Sequence, residues 1–193
     1  MGKGRLEAFS DGVIAIIITI MVLEMKAPHG ADLAALTPLM PAFFSYLLSF
    51  VFVGIYWNNH HHMLHAVREV NGAILWANLH LLFWLSLVPF VTLWMGENNF
   101  AAVPVAVYGL VMLMAGVAYY ILTHALIGHH GKSSPLALAV GDDTKGKISL
   151  LIYALAVPLS FLAPWLAVSL YVLVALIWLV PDPRIEKSAR PQR

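Results

Sequence analysis

Residues 56–65, YWNNHHHMLH, contain the densest group of side chains that could bind a metal ion or a proton. His61 and His65 are four residues apart, so on a helix they would share one face and could hold a metal ion between them. Histidine side chains also titrate near neutral pH, which would suit a regulatory proton site. The simplest interpretation is structural: the histidines cover one end of a helix and form hydrogen bonds to its neighbours.

A second polar group stands at the start of an apolar stretch, RLEAFSDGVIAIIITI, residues 5–20. Ser10 and Asp11 could cap a helix, where their oxygens would accept from free N–H groups and suit the helix dipole. They could instead be buried against other helices, which requires polar partners because an unpaired charge in lipid is costly. Candidate partners lie at the ends of the next two apolar segments: Asn58, Asn59, His62, His65, Arg68, Asn78 and His80.

The composition identifies the solvent that these groups must face. The chain has 193 residues, of which 61% are hydrophobic and 11% charged. A soluble domain has roughly 45–50% apolar and about 25% charged residues, so the composition predicts a protein embedded in a lipid bilayer. The net charge of +1 argues against nucleic acid as a partner. Without cysteine, the chain has neither disulfides nor thiolate metal ligands.

Six apolar segments approach the roughly 20 residues that a helix needs to cross a bilayer. The last two form one continuous run, which as a single helix would measure about 51 Å, far more than a hydrocarbon core of roughly 30 Å. We therefore place a turn in FLAPWL, at Ala163-Pro164, and expect only Pro158 to interrupt a helix. The sequence predicts an all-α membrane protein with spans at about 5–25, 41–62, 72–95, 103–127, 148–163 and 164–181.

The distribution of positive charge favours six spans with both termini in the cytoplasm. In that arrangement ten of the eleven lysines and arginines lie inside and only Lys26 lies outside, in agreement with the positive-inside rule. Five spans would move the basic C-terminal tail outside. The outer segments would carry Glu24, Asp32 and Glu97, an acidic face that attracts cations. The expected location is the cell (inner) membrane, as a multi-pass protein.

The expected organisation is one transmembrane domain over residues 1–181 and a disordered cytoplasmic tail over 182–193. The polar, glycine-rich segment 128–147 is expected to be a mobile loop that contains His129 and His130. A cleaved signal peptide is an alternative reading of the first span, with Lys3 and Arg5 before an apolar core. Acidic residues are unusual at that position, and cleavage would upset the charge balance, so we favour a retained helix.

A helical wheel gives the first span two different faces. At 100° per residue from Arg5, three polar residues (Glu7, Ser10 and Asp11) fall on one side. The opposite side carries a stripe of small and apolar residues: Phe9, Gly12, Ile16, Thr19, Ile20 and Leu23. A stripe of this kind could be an ordinary packing face with a small glycine at the interface. It could also line a dry, narrow passage.

The residues Arg5, Phe9, Ser10 and Asp11 form the pattern Arg-x-x-x-Phe-Ser-Asp at the opening of the first of six spans. This pattern resembles the signature of the transmembrane protein 175 family, the endolysosomal potassium channels of animals and their bacterial homologues. The likeness continues through TIMVLEMKAP, residues 19–28, and the NNHHH stretch, and it covers essentially the whole chain. Animal members carry two six-helix units, whereas this chain carries one, as the bacterial forms do.

The resemblance implies a potassium-preferring cation channel, a homotetramer whose pore is lined by the first helix of each subunit. It places the constriction on Ile16, Ile20 and Leu23, with a looser role for the hydroxyl of Thr19. It also implies that the polar residues of the motif tie helices of one subunit together, away from the pore. No Thr-Val-Gly-Tyr-Gly filter loop occurs here. The expected partners are potassium ions, the lipid bilayer and further copies of the chain, without a cofactor.

Two other functional classes remain open. A secondary cation or proton-coupled transporter would need broken helices and charge near the centre of the membrane. No span has a central acidic or basic residue, which argues against that class. The His-His-x-x-His spacing of this chain is similar to one histidine box of the membrane di-iron desaturases. Such enzymes need several histidine boxes. The other histidines, His29, His80, His124, His129 and His130, form no second box, so we predict neither enzymatic activity nor a bound metal.

Overall fold

Long apolar runs separated by proline and glycine favour helix throughout, and the computed structural model describes residues 2–179 as an all-helical bundle. The predicted all-α class is confirmed over this range, in which no β-strand forms. A 3-10 helix, Leu33–Leu39, precedes the second α-helix. The eight α-helices are α1 Gly4–Leu23, α2 Met40–His65, α3 Gly72–Ser86, α4 Val88–Glu97, α5 Ala102–His130, α6 Pro135–Val140, α7 Thr144–Leu159 and α8 Pro164–Leu179. The predicted tail, 182–193, lies outside the described residues.

Four helical segments of the described chain are long and apolar enough to cross a membrane: Gly4–Leu23, Leu33–His65, Gly72–Glu97 and Ala102–His130. The last two predicted spans appear as α7, with 16 residues, and α8, which is described as far as Leu179. Helix α7 rises about 24 Å, less than the hydrocarbon core of roughly 30 Å. The chain turns between them at the expected place, and α8 begins at Pro164.

The third predicted span is two helices rather than one. Helix α3 ends at Ser86 and α4 begins at Val88, with Leu87 as their shared cap. Pro89 is the second residue of α4 and lacks the N–H that would bond to the carbonyl of Leu85. The expectation that only Pro158 interrupts a helix is therefore wrong, because Pro89 interrupts the third span, whereas Pro158 lies in the last turn of α7.

The segment predicted as a mobile loop is largely helical. His129 and His130 form the last turn of α5, which continues beyond its apolar part because nothing in the sequence stops it before Gly131, at φ 87°. The Nδ1 of His130 lies 2.9 Å from the carbonyl oxygen of Leu126, which fixes its ring against the helix. Helix α6 then begins at Pro135, after Ser134 accepts a hydrogen bond from a backbone N–H of the first turn.

The helices pack around α5, which lies against α3, α4, α7 and α8. Helix α1 packs against α2, α3 and α4, and α7 and α8 form a hairpin on the other side. Where α2 and α4 cross, a β-carbon at Gly96 would collide with the backbone of Ala42, so glycine permits the close approach. The core is apolar apart from a few polar side chains. The hydroxyl group of Ser49, for example, bonds to Thr92 at 2.6 Å and to Tyr108 at 3.1 Å.

Asp143 precedes α7 in the left-handed region, at φ 47°, a conformation that aspartate and asparagine tolerate better than most residues. Burial raises the pKa of its carboxyl group, and the N–H of Gly146, His124 and Lys147 offset that shift only in part. A carboxyl group whose pKa is higher in the folded state stabilises the fold below its unfolded pKa. That contribution is lost as the pH rises through the folded pKa.

We therefore expect Asp143→Asn to raise the melting temperature of the detergent-solubilised protein at neutral pH, because asparagine removes a charge that is partly buried. The difference from the unmodified protein should shrink as the pH falls toward about 4, the pKa of an unfolded aspartate, because the carboxyl group is then protonated in a growing fraction of both states. Thermal melts between pH 4 and 8 test this. Asp142→Asn, at the exposed neighbouring position, is the control, and an equal effect of the two variants would contradict the assignment to Asp143.

Candidate functional site

The two faces of α1 differ in burial along the whole helix. Its inner face is covered by the other helices of the bundle and consists of Leu6, Ser10, Ile14, Ile17 and Met21. Every residue of the stripe identified on the helical wheel is exposed: Phe9, Gly12, Ile16, Thr19, Ile20 and Leu23. Ile16 is 58% exposed and Leu23 79% exposed. Among residues 2–179, an apolar face of the first helix therefore has no protein partner within one monomer.

Three side chains at the start of α1 bind the end of α2 at intervals of one helical turn. The ammonium group of Lys3 donates to the carbonyl oxygens of Leu64, at 2.7 Å, and of His65, at 3.2 Å. These carbonyls belong to the last turn of α2, where they lack partners within the helix and where a cation suits the helix dipole. Lys3 thus anchors the start of α1 to the end of α2.

The next two contacts continue along the same pair of helices. The Oε1 of Glu7 lies 3.4 Å from Nδ1 of His61, an ion pair when the histidine is protonated. One turn further, the indole N–H of Trp57 donates to Oδ1 of Asp11 at 3.0 Å. Residues 3, 7 and 11 of one helix therefore meet residues 65, 61 and 57 of an antiparallel neighbour, each series at a spacing of four. We call these three contacts the α1–α2 ladder.

A second set of contacts lies on the buried side of α1 and joins three helices. The hydroxyl group of Ser10 donates to the carbonyl of Leu6 at 2.8 Å and accepts from the amide of Asn78 at 3.0 Å. Oδ1 of Asn78 lies 2.7 Å from Nε2 of His60. An amide oxygen only accepts, so this assignment places the proton of the imidazole on Nε2. Ser10, Asn78 and His60 are all at most 1% exposed. We call them the buried triad.

These contacts decide between the two interpretations of Ser10 and Asp11. Helix α1 begins at Gly4, so both residues lie beyond the first turn, where helix caps occur. Ser10 bonds to Asn78, one of the expected partners, and Asp11 bonds to Trp57, which was not among them. In the structure, Ser10 therefore contacts α3 and Asp11 contacts α2.

The remaining expected partners lie elsewhere. His80 accepts from the indole of Trp84 at 2.9 Å, within α3. Asn59 donates to the carbonyl of Ile55 within α2. His62 contacts the ring of His61, and Asn58 is exposed. Arg5 and Arg68 are exposed and form no hydrogen bond or ion pair with another described residue. The ring of Phe9 is 53% exposed, on the stripe.

His61 and His65 stack on each other with ring centroids 5.9 Å apart. Among the described residues, no group of three or more histidine and acidic side chains is arranged to hold a metal ion. His61 instead takes part in the α1–α2 ladder, and His60 takes part in the buried triad.

Sequence reasoning missed the roles of Trp57, His60 and Lys3. The sequence contained a signal for Lys3 and Trp57. Two series of residues have the same spacing of four and run in opposite directions along the chain: Lys3, Glu7, Asp11 and His65, His61, Trp57. His60 carries no such signal, since the five consecutive polar residues 58–62 of α2 leave open which of them points inward.

The ladder provides a test of how firmly α1 is tied. We expect Trp57→Phe to lower the melting temperature, because phenylalanine keeps an aromatic ring but cannot donate to the carboxylate of Asp11. A hydrogen bond to a charged group contributes about 1.5–3 kcal/mol, and the exposure of Trp57 places the effect at or below the lower end. Thermal melts in detergent measure the shift. Trp76→Phe is the control, because Trp76 is 75% exposed, and equal shifts would argue against the bond to Asp11.

The fold and this arrangement define a class of protein: a multi-pass helical membrane protein whose first helix is tied at its polar end and uncovered along an apolar stripe. The comparisons with known proteins agree with that class. The profile of the family described as endosomal/lysosomal potassium channel TMEM175 matches residues 5–89. A potassium channel of Chryseobacterium sp. (strain P1-3) is 56% identical over 190 residues, 98% of this chain and 99% of the relative.

A solved structure shares the whole fold. It is the crystal structure of a lysosomal potassium-selective channel TMEM175 homolog from Chamaesiphon minutus, with a TM-score of 0.80 and 29% identity over 97% of this chain and 98% of that one. The human endosomal/lysosomal proton channel TMEM175 is 35% identical over 86 residues, 38% of this chain but only 17% of the human protein. The chain belongs to the TMEM175 potassium channel family.

Proposed function

We propose that the protein is a passive, potassium-preferring cation channel in which four copies of the chain surround one pore. The observation that carries this proposal is the uncovered stripe of α1, from Phe9 to Leu23, on a helix whose other face is buried and hydrogen-bonded. An apolar stripe of this length needs a partner or a dry passage. Four symmetric copies would supply both, since the small Gly12 permits close approach of neighbouring helices.

The constriction is assigned to Ile16, Ile20 and Leu23. Rings of these side chains around one axis would form a dry neck that closes by losing its water. An ion that passes must give up part of its hydration shell without receiving charged ligands, and potassium releases water more easily than sodium. The hydroxyl of Thr19 donates to the carbonyl of Ile16 at 2.9 Å, and its oxygen can still accept a bond from ion-bound water.

The proposed topology has six passes through the cell (inner) membrane, with both termini in the cytoplasm. The charge distribution supports this topology. One end of the bundle carries Lys3, Arg68, Lys132 and Lys145, whereas Lys26 lies at the other end. Helices α7 and α8 would cross as a hairpin. A membrane that is locally thinner would accommodate the short α7 at modest cost.

Flux measurements on purified protein in liposomes test the proposed function. We expect rapid, passive uptake driven by a potassium gradient and slower uptake under a matched sodium gradient, with protein-free liposomes as the control. A flux that saturates with ion concentration or requires a proton gradient would favour the transporter class. Cross-linking in liposomes tests the oligomer separately, and a species larger or smaller than four subunits would contradict the tetramer.

A second function, proton conduction, is favoured by the similarity to the human endosomal/lysosomal proton channel TMEM175. The same liposomes, loaded with a pH-sensitive dye, test it under a pH gradient without potassium. Proton flux that persists when potassium is absent would support proton conduction. Proton flux that occurs only when potassium moves through the same site as a counter-ion would support the cation channel alone.

A further inference from the structure

A cavity of about 50 Å³ lies inside the subunit, between α2, α5, α7 and α8. A water molecule needs roughly 10–15 Å³ of such space, so the cavity has room for a few water-sized groups. Gly116 of α5 lies in its wall, and a β-carbon there would press on Leu150 and approach the hydroxyl of Tyr56. The cavity is thus kept open at a point where a larger residue would narrow it.

Six aromatic rings line the cavity. They belong to all four helices: Phe52, Tyr56, Tyr119, Tyr120, Tyr153 and Trp178. Tyr56 and Tyr119 meet edge to face, with centroids 6.1 Å apart. Within the described part of the chain, the hydroxyl groups of Tyr56 and Tyr153 form no hydrogen bond, although both residues pack into the bundle. The wall therefore offers ring faces and free hydroxyls to whatever occupies the space.

The charge of the lining is negative. Asp143 lies at the start of α7 and is the only charged side chain among the described residues that line the cavity. A β-carbon at Gly146 would collide with its carboxylate, so glycine at that position allows the carboxylate to lie over the first turn of α7. Lys147 and His124 are near enough to act on Asp143 electrostatically but do not line the cavity.

We propose that this cavity binds a small organic cation, an amine or a methylated ammonium group. A carboxylate at the mouth and several aromatic faces in the wall are the two features by which proteins recognise such cations. A neutral apolar ligand would gain nothing from the charge of the carboxylate, and an anion would be repelled by it. The size of the cavity fits the head group, with any longer substituent extending outward from it.

Calorimetric titration of the purified protein in detergent with choline tests the proposal, and 3,3-dimethyl-1-butanol is the matched neutral probe because a carbon replaces the ammonium nitrogen. We expect saturable binding of choline and at least tenfold weaker binding of the neutral probe. Asp143→Asn should weaken choline binding at least tenfold, whereas Asp142→Asn, next to it but outside the lining, should change it by less than twofold. Asp143→Asn is expected to fold, since it removes a partly buried charge.

A second variant, Tyr119→Leu, removes an aromatic face and should also weaken choline binding. Equal binding of the two probes would overturn the proposal in favour of a merely apolar cavity. No saturable binding of choline at about 10 mM, or an unchanged affinity in Asp143→Asn, would overturn it as well. The titration does not involve ion flux, so its outcome is independent of whether the chain conducts potassium.

Discussion

Ile16→Asn is expected to raise the single-channel conductance several-fold and to reduce the discrimination between potassium and sodium. The amide of asparagine can hydrogen-bond to water, so a ring of four such side chains would stay wet where four isoleucines lose their water. Ions would then pass with more of their hydration shell, and the difference in the cost of dehydration between potassium and sodium would count for less. Ile16 is 58% exposed in the monomer, so the substitution leaves the core of the subunit unchanged.

Planar bilayer recordings with equal potassium and sodium gradients provide the measurement. Leu176→Asn is the matched control, because Leu176 is 55% exposed on α8, which we do not place at the pore. We expect that variant to keep both conductance and selectivity. If Ile16→Asn behaves like Leu176→Asn, position 16 is not part of the constriction, and the register of the proposed pore must be revised.

The second large effect is expected from Asn78→Leu, which removes the centre of the buried triad. Leucine is close to asparagine in size, but it breaks the bonds to Ser10 and His60, and both partners are at most 1% exposed. Hydrogen bonds between membrane helices average about 0.6 kcal/mol and reach about 1.7 kcal/mol, and an unpaired buried polar group costs about 1–3 kcal/mol. The loss of both bonds should therefore cost roughly 2–4 kcal/mol.

For a chain of this size such a loss corresponds to a fall in melting temperature of roughly 5–15 °C. Melting curves in detergent test it, with Asn58→Leu as the control, because Asn58 is exposed and forms no hydrogen bond within the described residues. A drop of the same size in both variants would mean that the buried triad contributes nothing specific. If Asn78→Leu melts normally but alters the flux, the triad sets the position of α1 rather than the stability of the fold.

The two predictions address the opposite faces of one helix. The ladder and the triad hold the polar end of α1 against α2 and α3, while its stripe is left free for contacts outside the subunit. This is why we expect polar substitutions on the stripe to change conduction and substitutions in the triad to change stability.

Much of this arrangement could be predicted from the sequence. The all-helical class follows from long apolar segments, which must satisfy every backbone hydrogen bond internally when they lie in lipid. The two faces of α1 follow from a period of 3.6 residues, which is a local property. The turn before Pro164 follows from length alone, because one helix over that run would be too long for a membrane.

Other features depended on how the helices pack. The break at Pro89 was missed because proline is tolerated near the start of a helix. The position of Pro89 therefore does not predict a break unless the end of the preceding helix is known. The partner of Asp11 and the inward position of His60 depend on the rotation of α2 about its own axis. Residues 57–62 are polar or aromatic on every side of that helix, so periodicity identifies no inner face. Only packing against α1 and α3 selects Trp57 for Asp11 and His60 for Asn78, because rotation about a helix axis is set by the neighbours of the helix and not by its own sequence.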